Sequence, residues 1–162
     1  MGNFQITNID QLNPELEKEL SSLFLEMYLE MRESGLMLDL SDNGSAIWLK
    51  SLKNTLGRFT KLFIVSENSV PVGFASGSLA IINDYLGSKK IGVINHIYVL
   101  KEHRSQHFAS RMLIMLEDWF KEKEVHSIEL QVLYLNKGAI KFWEKMNYST
   151  ELMQMRKFIG EN

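Results

Sequence analysis

The sequence predicts an α/β protein in which helices cover both faces of a mixed sheet, a three-layer α/β/α sandwich. Segments that alternate apolar and polar residues, as strands do, are interleaved with segments whose apolar residues recur at helical spacing. These segments follow the order β-α-α-β-β-β-α-β-α-β, and no repeat or linker divides them. A chain of 162 residues suits one domain, so residues 1–162 are expected to share one fold.

The first half of the chain supplies five elements. Its first helix is expected to begin at Asn13-Pro14-Glu15, because Asn caps helix starts, Pro suits the first helical position and Glu favours the positive helix end. Asn68-Ser69 is expected to form the turn of a hairpin. The predicted elements are, in order, strand 4–9, helix 14–33, helix 45–56, strand 61–67 and strand 70–81.

The second half contains the clearest helix, 108–122, whose apolar residues form one continuous stripe. In the strand that precedes it, Val93, Ile97 and Val99 are expected on one face. The remaining predicted elements are strand 90–99, strand 127–132, helix 137–146 and a closing strand 152–158.

Composition and charge exclude several classes of function. The net charge is −2 and no basic stripe is visible, so a nucleic-acid partner is not expected. No apolar run is long enough for a membrane span, and residues 1–6 lack the features of a signal peptide, so a cytoplasmic protein without a membrane partner is expected. The absence of cysteine excludes disulfides and thiolate nucleophiles. His103 and His107 have no clear third ligand, so no metal site is expected.

Two segments of the second half carry recognisable chemistry. The first, residues 97–113, reads IYVLKEHRSQHFASRML and is expected to form a strand, a tight loop and a helix start. The first backbone N–H groups of a helix lack internal partners and point outward, so a diphosphate can dock there. Arg104 adds a cation that pairs with phosphate oxygens. The second segment, residues 136–148, reads NKGAIKFWEKMNY and begins with Asn136, a typical helix cap.

Together these segments resemble the signature of the GNAT (Gcn5-related N-acetyltransferase) family, a Gln/Arg-x-x-Gly-x-Gly/Ala loop followed by Asn-x-x-Ala-x-x-(Leu/Phe)-Tyr-x-x-x-Gly-Phe. The resemblance implies a GNAT-like sandwich with two splayed central strands, ending here at Val99 and Val132, and acetyl-coenzyme A as cosubstrate. The loop would hold the pyrophosphate, and the first strand and Asn136 would bind the pantetheine arm. The implied cofactor-binding residues are Ile97, Val99, Leu100, Arg104, Ser105, Gln106, His107, Phe108, Ala109, Asn136 and Phe142.

Two positions depart from the family's pattern. His107 stands where the family usually has Gly, which gives freedom in φ and room for phosphate. His tolerates positive φ better than most side chains, so cofactor binding is expected to persist but to weaken. Trp143 occupies the place of a Tyr that protonates the leaving thiolate in many family members, and an indole N–H is not a usable acid. Tyr134 and Tyr148 are therefore the candidate replacements.

The sequence leaves the general base and the acceptor open. Where family members often place a Glu, this strand offers Asn95, which can position a water, and His96, whose ordinary pKa of about 6.5 suits a base. A structural role in the core is the alternative explanation for a histidine at position 96. The first predicted helix is acidic, which suits a small-molecule or peptide amine that carries positive charge, although a solvated helix face explains the same pattern.

The leading hypothesis from these residues is transfer of an acetyl group from acetyl-coenzyme A to a primary amine, by direct attack in a ternary complex. The alternative is a catalytically weak or inactive GNAT-like domain that binds coenzyme A or a partner as a sensor. A homodimer is also anticipated, because exposed strand edges offer a route to association.

Overall fold

A mixed five-stranded sheet organises the computed structural model, which describes residues 2–160. The strands lie in the order β1-β2-β3-β4-β5; β4 and β5 are parallel, and every other neighbouring pair is antiparallel. The elements are β1 (Phe4–Ile9), α1 (Pro14–Glu33), α2 (Gly44–Thr55), β2 (Thr60–Glu67), β3 (Val70–Ile81), β4 (Lys90–Val99), α3 (Phe108–Glu122), β5 (Ile128–Leu130) and α4 (Lys137–Lys145).

The start of α1 follows from its sequence. Asn13 lies in an extended conformation and its side-chain oxygen accepts a hydrogen bond from the Leu16 N–H at 2.8 Å. Pro14 occupies the first helical position, where a missing N–H costs nothing. The predicted helix 14–33 is confirmed at both ends.

Helices cover both faces of the sheet, as the sequence predicts. Adjacent residues of β2 face opposite layers: Val65 packs with α3, whereas Ile64 packs with α1 and α2. The α3 layer is centred on the fully buried Leu116 and Phe120, and the other layer on Leu20. The predicted three-layer sandwich is therefore confirmed.

The predicted closing strand 152–158 is wrong. Residues 152–158 belong to no helix or strand, and every one of them is exposed. Their apolar, β-rich pattern predicts a strand, but a strand also needs a hydrogen-bonded neighbour, and β5, the last strand of the sheet, does not provide one. The predicted strand 127–132 is found as the shorter β5.

Candidate active site

The parallel strands β4 and β5 diverge after a short contact. Residues 92–94 of β4 pair with residues 128–130 of β5. β4 then continues to Val99 without β5 beside it. The two strands thus form a fork that opens toward their carboxyl ends. The splayed central strands implied by the sequence are present.

A β-bulge at Asn95 lies where the strands part. Ser76 of β3 pairs with His96 while Gly77 pairs with Ile94, so Asn95 is the extra residue. Because the bulge changes the alternation, Ile94 and Val99 both reach the α3 layer. Val93, next to Ile94, therefore faces the opposite layer, and its predicted place beside Val99 is wrong.

The backbone of β4 presents polar groups to the open fork. Leu100 donates its N–H to Val72 O at 2.9 Å. Residue pairs of an antiparallel ladder alternate between sharing and not sharing hydrogen bonds. Val99, opposite Gly73, and Ile97 therefore turn their N–H and C=O groups away from β3. The Val99 carbonyl accepts a hydrogen bond from Arg104, so the Val99 N–H and both Ile97 groups remain for a ligand on the side that β5 has left.

The loop between β4 and α3 forms a concave backbone surface. Ser105 has φ 66° and His107, which caps α3, has φ 61°, so two residues other than Gly adopt left-handed conformations. His107 makes no side-chain hydrogen bond to the helix start, which leaves the first N–H groups of α3 without a cap. Such a surface of converging N–H groups is a typical anion-binding site.

Packing holds this loop against the sheet. The Phe108 side chain is 4% exposed and its ring lies 4.8 Å from that of Phe4, centroid to centroid, so only its backbone is available to a ligand. Ala109 packs partly against the same core, and Leu100 contacts both layers. Gln106 is exposed.

Arg104 is engaged by a carboxylate of α1. Its Nη2 contacts both carboxylate oxygens of Glu30, at 2.9 and 2.7 Å, and its Nε donates to Val99 O at 2.8 Å. Tyr98 donates its hydroxyl to Glu30 at 2.8 Å. Burial and the neighbouring Glu30 carboxylate both raise the pKa of Tyr98. Arg104 therefore links α1 to the end of β4 at the mouth of the fork.

His96 is enclosed by aromatic rings on the α1–α2 side of the sheet. The ring centroids of Phe24, Trp48 and Phe74 lie 5.8, 5.8 and 6.1 Å from that of the imidazole. Ser76 Oγ lies 3.4 Å from His96 Nδ1. Burial lowers the pKa of His96 from 6.5 to about 4. The imidazole is therefore neutral at pH 7.

The two candidate tyrosines lie in different surroundings. Tyr134 is 69% exposed on the loop that follows β5, beyond the opening of the fork, and Lys137 Nζ lies 4.0 Å from its ring centroid. Tyr148 is partly buried and donates its hydroxyl to Glu117 of α3 at 2.8 Å. Burial and this carboxylate raise the pKa of Tyr148. Tyr148 also lines a groove beside the first residue of β5, Ile128, so it lies near the closed end of the fork.

Residues of α4 serve mainly its own packing. Asn136 caps the helix, with its Oδ1 accepting the Ala139 N–H at 3.0 Å, so its amide nitrogen remains as a donor. Phe142 and Trp143 pack against the α3 layer, with ring centroids 5.0 Å apart. Trp143 is therefore a packing residue, as its apolar neighbours at helical spacing predict.

A small acidic groove of about 220 Å³ adjoins the end of β4. The sequence indicated that α1 is acidic, but it did not predict this groove. It also did not predict that the Glu30 carboxylate binds both Arg104 and the Tyr98 hydroxyl. The lining residues are Glu26, Leu29, Glu30, Glu33, Tyr98, Leu100, Lys101 and Glu102.

The strand fork offers backbone groups for pairing with a ligand, and the uncapped start of α3 offers N–H groups to an anion. The model of the acetyltransferase (GNAT) family matches residues 18–148, so the chain belongs to that family. No curated protein sequence matches the chain.

Several solved structures share the fold. The aminoglycoside N-acetyltransferase AAC(6')-Iy, solved with CoA, is 14% identical with a TM-score of 0.74, over 97% of this chain and 96% of that one. A predicted acetyltransferase from Clostridium acetobutylicum, solved with acetyl-CoA, is 16% identical with a TM-score of 0.70, over 97% of both chains. The acetyltransferase meta-AAC0020 from an uncultured soil sample, solved with sisomicin, is 14% identical with a TM-score of 0.68, over 98% and 97%.

Residues 2–160 offer neither a membrane-spanning helix nor a metal site. No helix in that range combines the length and the apolar character needed to cross a membrane. Within the same range, no three His, Asp or Glu side chains converge as a metal site requires.

Proposed function

We propose that this protein transfers an acetyl group from acetyl-coenzyme A to an amine that carries positive charge. The observation that carries the proposal is the fork between β4 and β5, where the backbone N–H groups of Ile97 and Val99 turn away from β3, together with the uncapped N–H groups at the start of α3, the helix that follows β4. A pantetheine arm has the amide groups to pair with such a strand, and a diphosphate suits such a helix start.

The residues present fit this cosubstrate. The left-handed conformations of Ser105 and His107 already give the loop the concave form that a phosphate requires. Asn136 retains an amide donor for a pantetheine carbonyl. Two structural neighbours were solved with CoA or acetyl-CoA, which supports the same ligand here.

The chain's own groups suit acetyl transfer by direct attack. The ammonium group first loses a proton to water, and the neutral amine nitrogen then bonds to the thioester carbonyl carbon. The C–S bond breaks, the nitrogen gives up a second proton to water, and the thiolate of coenzyme A takes one proton. The Val99 N–H would polarise the carbonyl oxygen as charge develops on it. We assign protonation of the thiolate to Tyr134, because it follows β5 at the open end of the fork, whereas the Tyr148 hydroxyl is bonded to Glu117.

Deprotonation of the amine is assigned to water held at the fork. Asn95 is exposed at the bulge, and its amide both donates and accepts hydrogen bonds, so it can orient a water that carries the proton away. A base with a pKa of about 4 holds a proton too weakly to draw one from an ammonium group, so His96 acts by shaping the site.

The acidic groove favours a cationic acceptor. Glu26, Glu33 and Glu102 line it beside Glu30, and their charges attract an ammonium group to the mouth of the fork. The aminoglycoside acetyltransferase from soil was solved with sisomicin, which supports aminoglycosides as the first amines to test. Polyamines are the second group to test, because their positive charges suit the acidic groove.

Binding and turnover together test the proposal. Thermal unfolding should shift upward with acetyl-CoA, since ligand at ~100 times its dissociation constant adds about 2.7 kcal/mol of stability. Release of CoA should then depend on an added polyamine or aminoglycoside. Binding without any turnover across the amine panel would favour the sensor alternative, and absence of binding at millimolar acetyl-CoA would refute the cosubstrate itself.

A matched pair of variants locates the binding site. Ala109→Asp places a carboxylate in the first turn of α3, where it repels a diphosphate. Because Ala109 packs partly against the α3 core, the unfolding temperature of this variant without ligand must first show that it is folded. Ala46→Asp makes the same change in the first turn of α2, away from the fork. The first variant should lose acetyl-CoA binding while the second retains it.

A further inference from the structure

The turn that precedes α4 is held at several points. Leu133 O accepts a hydrogen bond from the Asn136 N–H at 2.9 Å. Leu135 O accepts one from the Lys137 N–H, also at 2.9 Å. The Leu135 side chain packs against Gly35 in the loop after α1, so closely that a Cβ on Gly35 would lie 2.9 Å from Leu135 Cδ1. The backbone of this turn is therefore fixed relative to α1 and to the start of α4.

The Tyr134 side chain stands out from this fixed turn. It is 69% exposed, so packing restricts it little. The Lys137 ammonium lies over its ring, with Nζ 4.0 Å from the ring centroid, which is within the range of a cation–π contact. Tyrosine side chains choose among a few staggered orientations, and a cation held over one face of the ring favours one of them.

Lys137 stands at a position that the energetics of the helix does not favour. It is the first residue of α4, where the aligned peptide dipoles give the helix its positive end, and a cation there is destabilising. The first turn of α4 holds no acidic residue that would offset this charge. The Tyr134 ring attracts the same ammonium, so the ring, and not the helix, accounts for a lysine at this place.

We infer that Lys137 is a positioning residue for Tyr134, which it holds ready at the open end of the fork. The inference rests on the proposed function, in which Tyr134 gives its proton to the thiolate of coenzyme A. In that step the phenol O–H bond breaks, an S–H bond forms, and the phenolate regains a proton from water. Lys137 keeps its own proton throughout and raises the fraction of molecules in which the hydroxyl is in place.

The kinetics of Lys137 variants test the inference. Lys137→Met keeps the aliphatic stem but removes the charge, so kcat should fall about two- to fivefold, the weight of an exposed cation–π contact. KM for acetyl-CoA should not change. Lys137→Arg returns a cation to the ring, so kcat should be that of the parent. Lys141→Met, at an exposed position of the same helix, is the matched control and should leave kcat unchanged.

A double-mutant cycle separates positioning from direct binding of the ligand. In the Tyr134→Phe background the ring remains but the proton donor is gone, so Lys137→Met should lower kcat no further. A direct contact between Lys137 and a phosphate of coenzyme A would instead raise KM for acetyl-CoA in both backgrounds, and that outcome overturns the inference. A fall in kcat that Lys137→Arg does not restore overturns it too.

The contact itself can be measured without turnover. In proton NMR, the methylene protons beside the Lys137 ammonium should show an upfield ring-current shift in the parent and in Tyr134→Phe, and should lose it in Tyr134→Leu. A parent protein that shows the shift but acetylates no amine would refute the proposed function and with it the positioning role. Turnover that is indifferent to Lys137→Met would refute the positioning role alone, and a parent without the shift would overturn the contact on which the inference is built.

Discussion

Glu30 and Arg104 join two elements that are 74 residues apart in the chain, α1 and the loop that precedes α3. Arg104 contacts both oxygens of the Glu30 carboxylate, and Tyr98 donates its hydroxyl to the same carboxylate. The guanidinium is thus paired inside the protein at the position from which the sequence predicts a phosphate contact. A bound diphosphate and Glu30 would compete for Arg104, or share it.

The first prediction concerns this competition. Glu30→Gln removes the carboxylate charge but keeps an acceptor for Tyr98, so Arg104 becomes free to approach an anion. Affinity for CoA, measured by calorimetry, should rise about two- to fivefold, the range of a partly exposed ion pair. Glu33→Gln is the control, because the ion pair of Glu33 is with Lys101, at 3.8 Å on the surface, and not with Arg104. Weaker binding in Glu30→Gln would mean that the pair serves to orient Arg104 for the ligand.

The second prediction concerns His107 at φ 61°. A left-handed conformation costs a residue with a Cβ on the order of 1–2 kcal/mol, whereas Gly adopts it freely. His107→Gly should therefore raise the free energy of unfolding by up to ~1 kcal/mol and bind acetyl-CoA more tightly, since room for phosphate increases. Asn147→Gly, also left-handed at φ 66° but remote from the loop, should leave affinity unchanged. Loss of affinity in His107→Gly would show that the imidazole itself holds the ligand.

Local signals allowed much of this fold to be predicted. The cap at Asn13, the stripe of α3 and the hairpin of β2 and β3 depend on residues close in sequence, and each is found. The same is true of the loop around His107, because a strand, a tight turn and a helix start are encoded by consecutive residues.

Features that depend on contacts between distant residues could not be predicted from the sequence. The bulge at Asn95 follows from how β4 pairs with β3 while parting from β5, which no local pattern records. The pairing of Glu30 with Arg104 likewise requires α1 to lie across the end of β4. Residues 152–158 have the composition of a strand, but they pair with no strand of the described sheet, and composition does not record whether a partner is reached.

The third prediction follows from the pKa of His96. Burial lowers it from 6.5 in a free chain to about 4 in the folded protein, so between these values the unfolded chain binds more protons. Stability should therefore be full above pH 6.5 and fall as pH decreases toward 4, by up to about 3 kcal/mol from this residue. His96→Gln should flatten that part of the pH dependence in denaturant unfolding. His126→Gln, at an exposed position, should not; equal slopes in all three proteins would contradict the assignment.

The fourth prediction separates the two tyrosines. Tyr134 is exposed beyond the open end of the fork, so Tyr134→Phe should lower kcat by about 10²-fold or more with little change in stability, as expected for loss of a general acid. Tyr148→Phe breaks the 2.8 Å hydrogen bond to Glu117 and leaves that carboxylate partly unpaired, which should cost about 1–2 kcal/mol of stability. Its kcat should remain within about twofold of the parent, because the hydroxyl lies near the closed end of the fork. Steady-state rates and chemical unfolding of both variants test the assignment, since a general acid at Tyr148 would reverse the two effects on kcat and leave the loss of stability in Tyr148→Phe unchanged.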